Sequence, residues 1–390
     1  MDDLTYKQQV LDAKSLKSAD TFCVKPLTHL YVSTTGQYGL CCKSNDSYKA
    51  NANTTTVDDW WNSNYVKRIR EDMANGIRVP ECQFCWKMED NGITNMSMRQ
   101  KSNQEYVVNK DNYKKFLGPE RRILDLEIQH TNLCNLKCLM CYQGASSQIG
   151  AEDIRLGIAY DRTLYNWPLE RVDELLASGL HVLNIRGGEP LINDELYKLV
   201  ETCYNKGYLD KTTLHITTNC TRIEKWYDLL TDIPNVRIMA SVDGTGGVYN
   251  YIRFNSDWEV VQENMLMLSK ISNLTAHSVA QNLNILNIHK LINWTVTNNI
   301  SYDATAIEHP SYYRITNFPQ KLLDQAYENI NTCEVKNKIT QRSKEDLLNY
   351  LKHQKSDMSE WNKFWEEILK RQSIRKNNIL DVIPELTNHL

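Results

Sequence analysis

The sequence predicts an α/β fold: a partial (β/α)6 barrel with a small cysteine-rich α+β segment before it, made of a hairpin and a helix, and a helical cover after it. Between residues 121 and 310, short apolar runs alternate with amphipathic patterns, which is typical of βα units around a parallel sheet. This stretch of roughly 190 residues fits an incomplete barrel better than a closed eightfold one of ~250 residues. Five of the 11 cysteines lie between residues 23 and 85, which marks a separate cysteine-rich N-terminal segment.

The composition argues against several classes of partner. The 45 Lys and Arg against 48 Asp and Glu give a net charge of -3, so no nucleic acid is expected. No apolar run approaches the ~18 residues of a membrane span, and the start Met1 to Leu4 lacks the parts of a secretory signal. We therefore expect a soluble, cytoplasmic protein. In that reducing compartment, clustered cysteines favour metal ligation over disulfides.

The first predicted domain covers residues 1–95. Its elements are a polar arm or short helix over 1–20, a hairpin with strands near 30–32 and 37–41, and a helix from Val57 to about Ala74. Thr56 followed by two acids is typical of a helix N-terminus, because a hydroxyl caps the first turn and carboxylates favour its dipole.

The cysteines of this domain can form one metal site. The hairpin region carries Cys23, Cys41 and Cys42, and a C-x2-C pair follows at Cys82 and Cys85. Four thiolates from these two segments suit both a tetrahedral zinc ion and a fully ligated 4Fe–4S cluster. The spacing alone leaves both alternatives open.

A polar connector over 96–120 leads to the barrel domain, 121–310, and a helical extension follows over 311–390. The predicted strands are Ile123–Gln129, His181–Arg186, Thr213–Thr218, Val236–Val242, Thr275–Asn282 and Tyr302–Ile307, and the predicted helices between them are Leu169–Ala177, Asp194–Lys206, Ile223–Leu230, Trp258–Ser272 and Ile288–Thr297. Apolar residues at helical spacing between 318 and 375 predict helices that cover the barrel.

Chemically capable residues follow the predicted strands, at the edge where parallel α/β folds place their active sites. Three thiolates on one loop after the first strand can hold three irons of a 4Fe–4S cluster, and they leave the fourth iron open to a small molecule. The loop and the later strand ends supply the following candidates: Cys134, Cys138, Cys141, Gly187, Gly188, Glu189, Pro190, Thr218, Asn219, Ser241, Asp243 and Arg253.

Each candidate also has an ordinary structural explanation. A Gly-Gly-Glu-Pro tetrapeptide is a common turn. A Thr, Asn or Ser at a strand end is a common helix cap, and a lone arginine commonly lies on the surface. Their joint placement at one edge, beside the cysteine loop, favours a functional interpretation.

The spacing Cys134-x3-Cys138-x2-Cys141 after the first strand, with Gly187–Pro190 after the second, resembles the radical S-adenosylmethionine (SAM) superfamily. The family has an aromatic residue just before the third cysteine, where this sequence has Met140. The resemblance covers about residues 121–310 and implies a partial radical SAM barrel. It implies that SAM chelates the open iron and is reductively cleaved to a 5′-deoxyadenosyl radical, which abstracts a hydrogen atom from the substrate.

The resemblance also implies roles for single residues. Gly187–Pro190 would contact the methionine amino group of SAM, and Ser241 and Arg253 would hold its carboxylate. Near the ribose or the substrate, the resemblance places Thr218 and Asn219. Asp243 would help to orient this end, and no catalytic acid, base or hydrogen donor is assigned.

The N-terminal segment is similar to the SPASM and twitch extensions of radical SAM maturases. The similarity rests on Cys23-x12-Gly36-x4-Cys41 followed by Cys82-x2-Cys85. Such extensions usually follow the barrel; here the segment precedes it, as in a group of twitch-containing proteins found partly in phages. The resemblance implies one auxiliary 4Fe–4S cluster, with zinc as the alternative.

These resemblances give two hypotheses for the function. The first is a radical SAM enzyme that modifies a peptide or protein, or alternatively a small molecule such as a nucleotide or sugar, with an electron donor such as flavodoxin or ferredoxin. The second is a non-catalytic iron–sulfur or zinc protein. The open iron of the three-cysteine loop argues against the second.

Overall fold

The structure, a computed structural model, describes residues 21–46, 48, 50–92, 97–107, 123–160 and 170–389. Contacts divide the chain into two units: the first holds the described residues of 1–131, 163–187 and 198–214, and the second holds those of 132–162, 188–197 and 215–390. The predicted arm at 1–20 and much of the connector at 96–120 lie outside the described residues. The predicted domain limits at 95, 120 and 310 divide the chain differently and stay a prediction.

Strands and helices alternate along most of the described chain. The strands are β1 His29–Val32, β2 Tyr38–Gly39, β3 Asp125–Gln129, β4 Lys137–Cys138, β5 Val182–Arg186, β6 Thr213–Thr218, β7 Val236–Ser241, β8 Arg253–Phe254, β9 Asn273–Ala280 and β10 Ser301–Ala306. The helices are α1 Lys25–Thr28, α2 Val57–Trp61, α3 Asn64–Ala74, α4 Gln83–Asp90, α5 Met98–Val107, α6 Ser147–Arg155, α7 Glu170–Ala177, α8 Asp194–Asn205, α9 Glu224–Asp232, α10 Gly246–Ile252, α11 Trp258–Leu268, α12 Ile288–Thr297, α13 Gln320–Asn331, α14 Lys338–His353 and α15 Trp361–Arg375.

The first unit is built on parallel strands with leucines in register. Leu30 of β1 lies beside Leu126 of β3, and Leu126 lies beside Leu183 of β5; all three are fully buried. The β1–β2 hairpin, which the sequence predicts, therefore does not stand alone: β1 adds a parallel strand beside β3. Burial of leucine side chains across neighbouring strands is what stabilises this extension.

One predicted helix is two helices in the structure. The sequence predicts a single helix from Val57 to about Ala74, and that prediction is wrong in its middle. Ser63 has an extended backbone, and its hydroxyl accepts a hydrogen bond from the Val66 amide at 3.3 Å, which starts a new helix. Thr56 caps the first helix as predicted, since its hydroxyl accepts from the third amide of α2 at 3.1 Å.

In the second unit, β7, β9 and β10 pair in parallel, with Ser241, His277 and Asp303 side by side. Residues alternate between two faces along these strands. One face is fully buried, and helices α12 and α14 contact β10; the other face is half-buried. A separate antiparallel pair joins β4 to β8, with Cys138 opposite Arg253.

The predicted α/β class, with parallel strand pairs consistent with a partial barrel, is confirmed. Period-two alternation identified these strands correctly because one face of each is buried. Helices α13 to α15 match the helical cover that the sequence predicts after the last strand. None of the helices within the described ranges combines the length and apolar character needed to cross a membrane.

Candidate functional site

The three-cysteine loop is held by two serines that follow it. The Cys134 amide donates to Ser147 Oγ at 3.2 Å, and Ser146 Oγ donates to the Leu136 carbonyl at 2.8 Å. The same Ser146 hydroxyl caps helix α6. Because this hydroxyl accepts from the helix while it donates to the loop, α6 and the loop form one hydrogen-bonded element.

The thiols of this loop are largely buried beside a cation. Cys134 and Cys138 are each 8% exposed and pack with the fully buried Leu136, and Cys141 packs against them. Burial raises the pKa of all three thiols, that of Cys141 to about 12. The Arg253 guanidinium lowers the pKa of each thiol in opposition to burial, because a positive charge favours the thiolate.

Arg253 links the loop to the end of β7. Its Nη1 lies 3.9 Å from Cys138 Sγ, and its Nε lies 2.7 Å from Asp243 Oδ2. Asp243 is fully buried, and its other carboxylate oxygen accepts from the Val279 amide at 2.8 Å. Burial raises the pKa of Asp243, and the Arg253 charge opposes that rise. The structure therefore brings the predicted residues Asp243 and Arg253 together as an ion pair beside a loop thiol.

The glycine turn after β5 is shaped for close backbone contact. Gly187 has a φ of +138°, a value that favours glycine. A Cβ on Gly188 would lie 2.0 Å from the Leu133 carbonyl oxygen, and the Glu189 amide donates to that oxygen at 2.7 Å. Pro190 is buried and begins a short 3-10 helix. Gly188 thus lets the turn pack directly on the residue that precedes the cysteine loop.

The Glu189 carboxylate joins the turn to the end of β6. It accepts from the Leu191 amide at 3.0 Å, from Thr218 Oγ1 at 2.6 Å and from the Asn219 amide at 2.6 Å. Burial raises the pKa of Glu189, and these hydrogen bonds oppose the rise. Asn219 Nδ2 in turn donates to Asn135 Oδ1 at 3.0 Å, inside the cysteine loop. The structure therefore brings Glu189, Thr218 and Asn219 together, and their predicted contacts with SAM stay a prediction.

A comparison with models of protein families supports the superfamily resemblance that the sequence motifs suggest. The model of the Radical SAM superfamily matches residues 128–287, which include the cysteine loop, the glycine turn and Arg253. This chain carries a radical SAM domain. The predicted superfamily resemblance is confirmed at that level.

The radical SAM domain also has relatives among curated proteins. A "Probable GTP 3',8-cyclase" of Methanothermobacter thermautotrophicus is 29% identical over 127 residues, which cover 32% of this chain and 36% of that protein. A protein of the same name from Methanococcus maripaludis is 28% identical over 128 residues, covering 32% and 37%. The match thus spans about a third of the length of these relatives.

Solved structures resemble the chain more distantly. Streptococcus suis SuiB bound to S-adenosylmethionine aligns with a TM-score of 0.41 and 15% identity, over 64% of this chain and 58% of SuiB. The protein anSMEcpe with bound AdoMet aligns with a TM-score of 0.40 and 19% identity, over 54% and 62%.

The donor set of the radical SAM domain fits a cubane cluster held by three cysteines. Three thiols lie on one loop. The Arg253 guanidinium lowers their pKa values against the effect of burial and so favours the thiolate forms. Within the described ranges, no three His, Cys, Asp or Glu side chains are arranged to hold a single metal ion. A cubane requires a wider arrangement, because four irons and four sulfides lie between its ligands. The open fourth iron is a consequence of having three protein ligands.

The predicted auxiliary cysteines are neighbours within the first unit. Cys23 precedes α1, Cys41 follows β2, and Cys82 and Cys85 lie at the start of α4. Burial raises the pKa of Cys23 to about 11, and the Cys85 thiol adds to the rise. Burial also raises the pKa of Cys82, with further contributions from Cys23, Cys41 and Cys85. The structure thus brings these four thiols into mutual electrostatic range.

The adjacent Cys42 thiol has a different environment. Its Sγ lies 3.6 Å from Arg186 Nη1, which also lies 2.8 Å from Glu127 Oε1. Burial raises the pKa of Cys42, with Glu127 adding to the rise and Arg186 opposing it. For Cys41, burial and the Cys42, Cys23 and Cys85 thiols raise the pKa, which places Cys41 among the other cysteines of the set.

Two polar residues on the half-buried face of the second unit, His277 and Asp303, are not among the candidates that the sequence suggests. His277 Nδ1 lies 3.3 Å from Asp303 Oδ2, and the Ser241 backbone is paired with His277. The available signal was the alternation of polar and apolar residues in β9 and β10. That alternation puts both side chains on one face, but only the strand register puts them side by side.

Proposed function

We propose that this chain is a radical SAM enzyme. One observation carries the proposal: three neighbouring thiols, Cys134, Cys138 and Cys141, lie inside the family match with Arg253 set against them. When bound, the cluster and SAM supply a 5′-deoxyadenosyl radical for hydrogen abstraction. The cysteines hold the cluster, and the Arg253 charge favours their thiolate forms. Gly188 and Glu189 keep the loop backbone in place.

For SAM itself, we propose that Gly187–Pro190 offer backbone groups to its amino end. Ser241 lies at the end of β7, two residues before Asp243, and we propose that it binds the carboxylate. We propose that Arg253 binds the same carboxylate of SAM, and that its ion pair with Asp243 holds the guanidinium in position. Thr218 and Asn219 act near the ribose, and their hydrogen bonds to Glu189 fix their positions.

The test is cleavage of SAM by the anaerobically reconstituted chain. With dithionite as reductant, we expect 5′-deoxyadenosine to form, measured by liquid chromatography and mass spectrometry. Cys138→Ala removes one iron ligand and should abolish the product. Cys203→Ala is the matched control, since Cys203 is also a fully buried thiol but lies in α8. If the wild-type chain binds iron and sulfide but forms no 5′-deoxyadenosine, the proposal is wrong.

We propose that Cys23, Cys41, Cys82 and Cys85 hold an auxiliary 4Fe–4S cluster, with zinc as the alternative. Cys82→Ala should lower the iron content from about eight to about four per chain and preserve SAM cleavage at the other cluster. Cys42→Ala should leave the iron content unchanged, because its thiol contacts Arg186. Metal analysis of both variants decides the matter: loss of zinc at constant iron in Cys82→Ala would establish the zinc alternative.

For the substrate, we propose a peptide or protein side chain, because the cysteine-rich segment resembles those of peptide maturases. A flavodoxin or ferredoxin would supply the electron. A nucleotide is the second candidate, because the relatives that match the radical SAM domain are named as GTP cyclases. GTP added to the reconstituted enzyme tests this second candidate directly. Faster 5′-deoxyadenosine formation together with consumption of GTP would favour the nucleotide over the peptide.

A further inference from the structure

On the half-buried face of β7, β9 and β10, a histidine of β9 lies between a polar residue of β7 and a polar residue of β10. In register across the strands lie Ser241, His277 and Asp303, and one pair further along β10 lies Thr305, opposite Val279. The alternate residues of β9, such as Ser278, are fully buried and face the other way. A titratable side chain on the half-buried face is reachable by a ligand, whereas one on the helix-covered face is not.

Two polar side chains flank the ring of His277. Nδ1 lies 3.3 Å from Asp303 Oδ2, and Nε2 lies 3.4 Å from Thr305 Oγ1. The side chains of His277 and Asp303 are 18% and 21% exposed. A carboxylate beside Nδ1 favours the tautomer with its proton on that nitrogen, so Nε2 keeps a lone pair. The Thr305 contact is long, and a ligand hydroxyl or amine can replace it.

The same strand leads to the proposed cofactor residues. Two positions after His277, the Val279 amide donates to Asp243, which pairs with Arg253. The charged group that the structure places against the imidazole is Asp303 from β10. The histidine therefore lies beside the residues assigned to SAM.

A buried amide after β9 has unpaired polar atoms among the described residues. Gln281 follows the last residue of the strand and is fully buried. Within the described part of the chain, neither its Oε1 nor its Nε2 has a hydrogen-bond partner. Leaving a buried amide unpaired costs free energy, so a bound polar group is the ordinary way to offset that cost.

We propose that His277, positioned by Asp303, is an acid–base group for the substrate. This inference rests on the proposed function and deepens it. The substrate it fits carries a hydroxyl or amino group on the carbon that loses its hydrogen atom. Once that carbon is a radical, the neighbouring O–H or N–H proton passes to Nε2. The substrate becomes a radical anion or loses its ammonium charge, the imidazole becomes imidazolium, and no electron is exchanged in this step.

The geometry is tested on the full chain by nitrogen-15 NMR of histidine side chains, with His277→Gln to assign the signal. We expect the Nδ1–H tautomer for His277 at a pH where the ring is neutral. Asp303→Asn should remove that preference, while Thr275→Val, on the same face of β9, should preserve it. An Nε2–H tautomer in the wild-type protein would overturn the proposal, because Nε2 then has no lone pair for a proton.

Reactivity gives a readout that a merely structural histidine would not share. Diethyl pyrocarbonate should modify His277 at Nε2 in the reconstituted enzyme, and peptide mass spectrometry measures the extent of modification. In Asp303→Asn, this modification should be slower. A His277 that stays unmodified while the protein is folded would contradict the proposal. Thr275→Val is the matched control and should be modified at His277 as fast as the wild-type protein. A wild-type chain that forms no 5′-deoxyadenosine would refute the proposed function instead.

Discussion

Replacing Gly188 by alanine is expected to abolish or nearly abolish SAM cleavage. The new Cβ would lie 2.0 Å from Leu133 O and 2.5 Å from Leu133 C, and these are backbone atoms that cannot rotate away. The turn and the loop must separate, so the Glu189 amide loses its 2.7 Å bond to Leu133 O and the neighbouring Cys134 moves. Misplacement by ~1 Å costs about a hundredfold in rate. The rate of 5′-deoxyadenosine formation by the reconstituted variant measures this loss.

The matched control for this prediction is Gly247→Ala in helix α10. There the nearest atom to a new Cβ is a side-chain methyl, Val382 Cγ1 at 3.2 Å, which can yield by a small rotation. We expect Gly247→Ala to retain cluster binding and SAM cleavage. The overpacking in Gly188→Ala should also lower the free energy of unfolding by about 1–3 kcal/mol. A Gly188→Ala enzyme with wild-type rate and iron content would show that the loop does not depend on this contact.

The parts of the fold that the sequence predicted well are those with local signals. Alternation of apolar residues identified β7, β9 and β10 to within two residues at each end. Thr56 allowed the start of helix α2 to be predicted, because the capping residue and the acids after it are close together in the chain. Ser63 was missed because the apolar pattern of one helix continues into the next, and a single cap signal inside such a pattern is weak.

In the candidate site, too, the residues with a local sequence signal were predicted, and the contacts that depend on the fold were not. Cys134, Cys138 and Cys141 are recognisable from spacing alone, because all three ligands lie on one loop. The ion pair of Arg253 with Asp243 depends on the β4–β8 ladder, and the sequence gives no sign of that ladder. A sequence shows which residue types follow a strand, but the partner of each side chain depends on strand register and loop path.

The C-terminal cover offers the clearest example of such a long-range contact. Glu152 of α6 is 219 residues from Arg371 of α15, yet Glu152 Oε2 lies 2.6 Å from Arg371 Nη1. Arg375 reaches the same carboxylate with Nε at 2.9 Å and Nη2 at 2.6 Å, and Asp153 accepts from Arg371 at 3.0 Å. Because α6 also carries the serine that holds the cysteine loop, this cluster ties the cover to that loop.

Glu152→Gln is expected to lower the free energy of unfolding by about 3–5 kcal/mol, because it leaves two buried guanidiniums with too little negative charge. The side chains of Glu152 and Arg375 are only 1% and 2% exposed, so water cannot replace the lost carboxylate. Glu366→Gln is the control: it breaks an exposed pair with Lys363 on the same helix, α15, and should change stability by less than about 1 kcal/mol. Denaturant unfolding of both variants beside the wild-type chain makes the comparison.

The difference in unfolding free energy between the wild-type chain and Glu152→Gln should depend on pH, and the pKa of Glu152 determines how. Burial alone would raise that pKa, but hydrogen bonds and charges from Arg375 and Arg371 outweigh burial and hold it below its usual value. A carboxyl with a lowered folded pKa contributes its full stability above the unfolded pKa of ~4.3, and the contribution disappears as pH falls through the folded pKa. The gap in unfolding free energy between wild type and Glu152→Gln should therefore be largest near neutral pH and shrink below about pH 4. A gap that stays constant into acid would mean that the carboxylate charge is not what Glu152 contributes, and that its packing against α15 carries the effect instead.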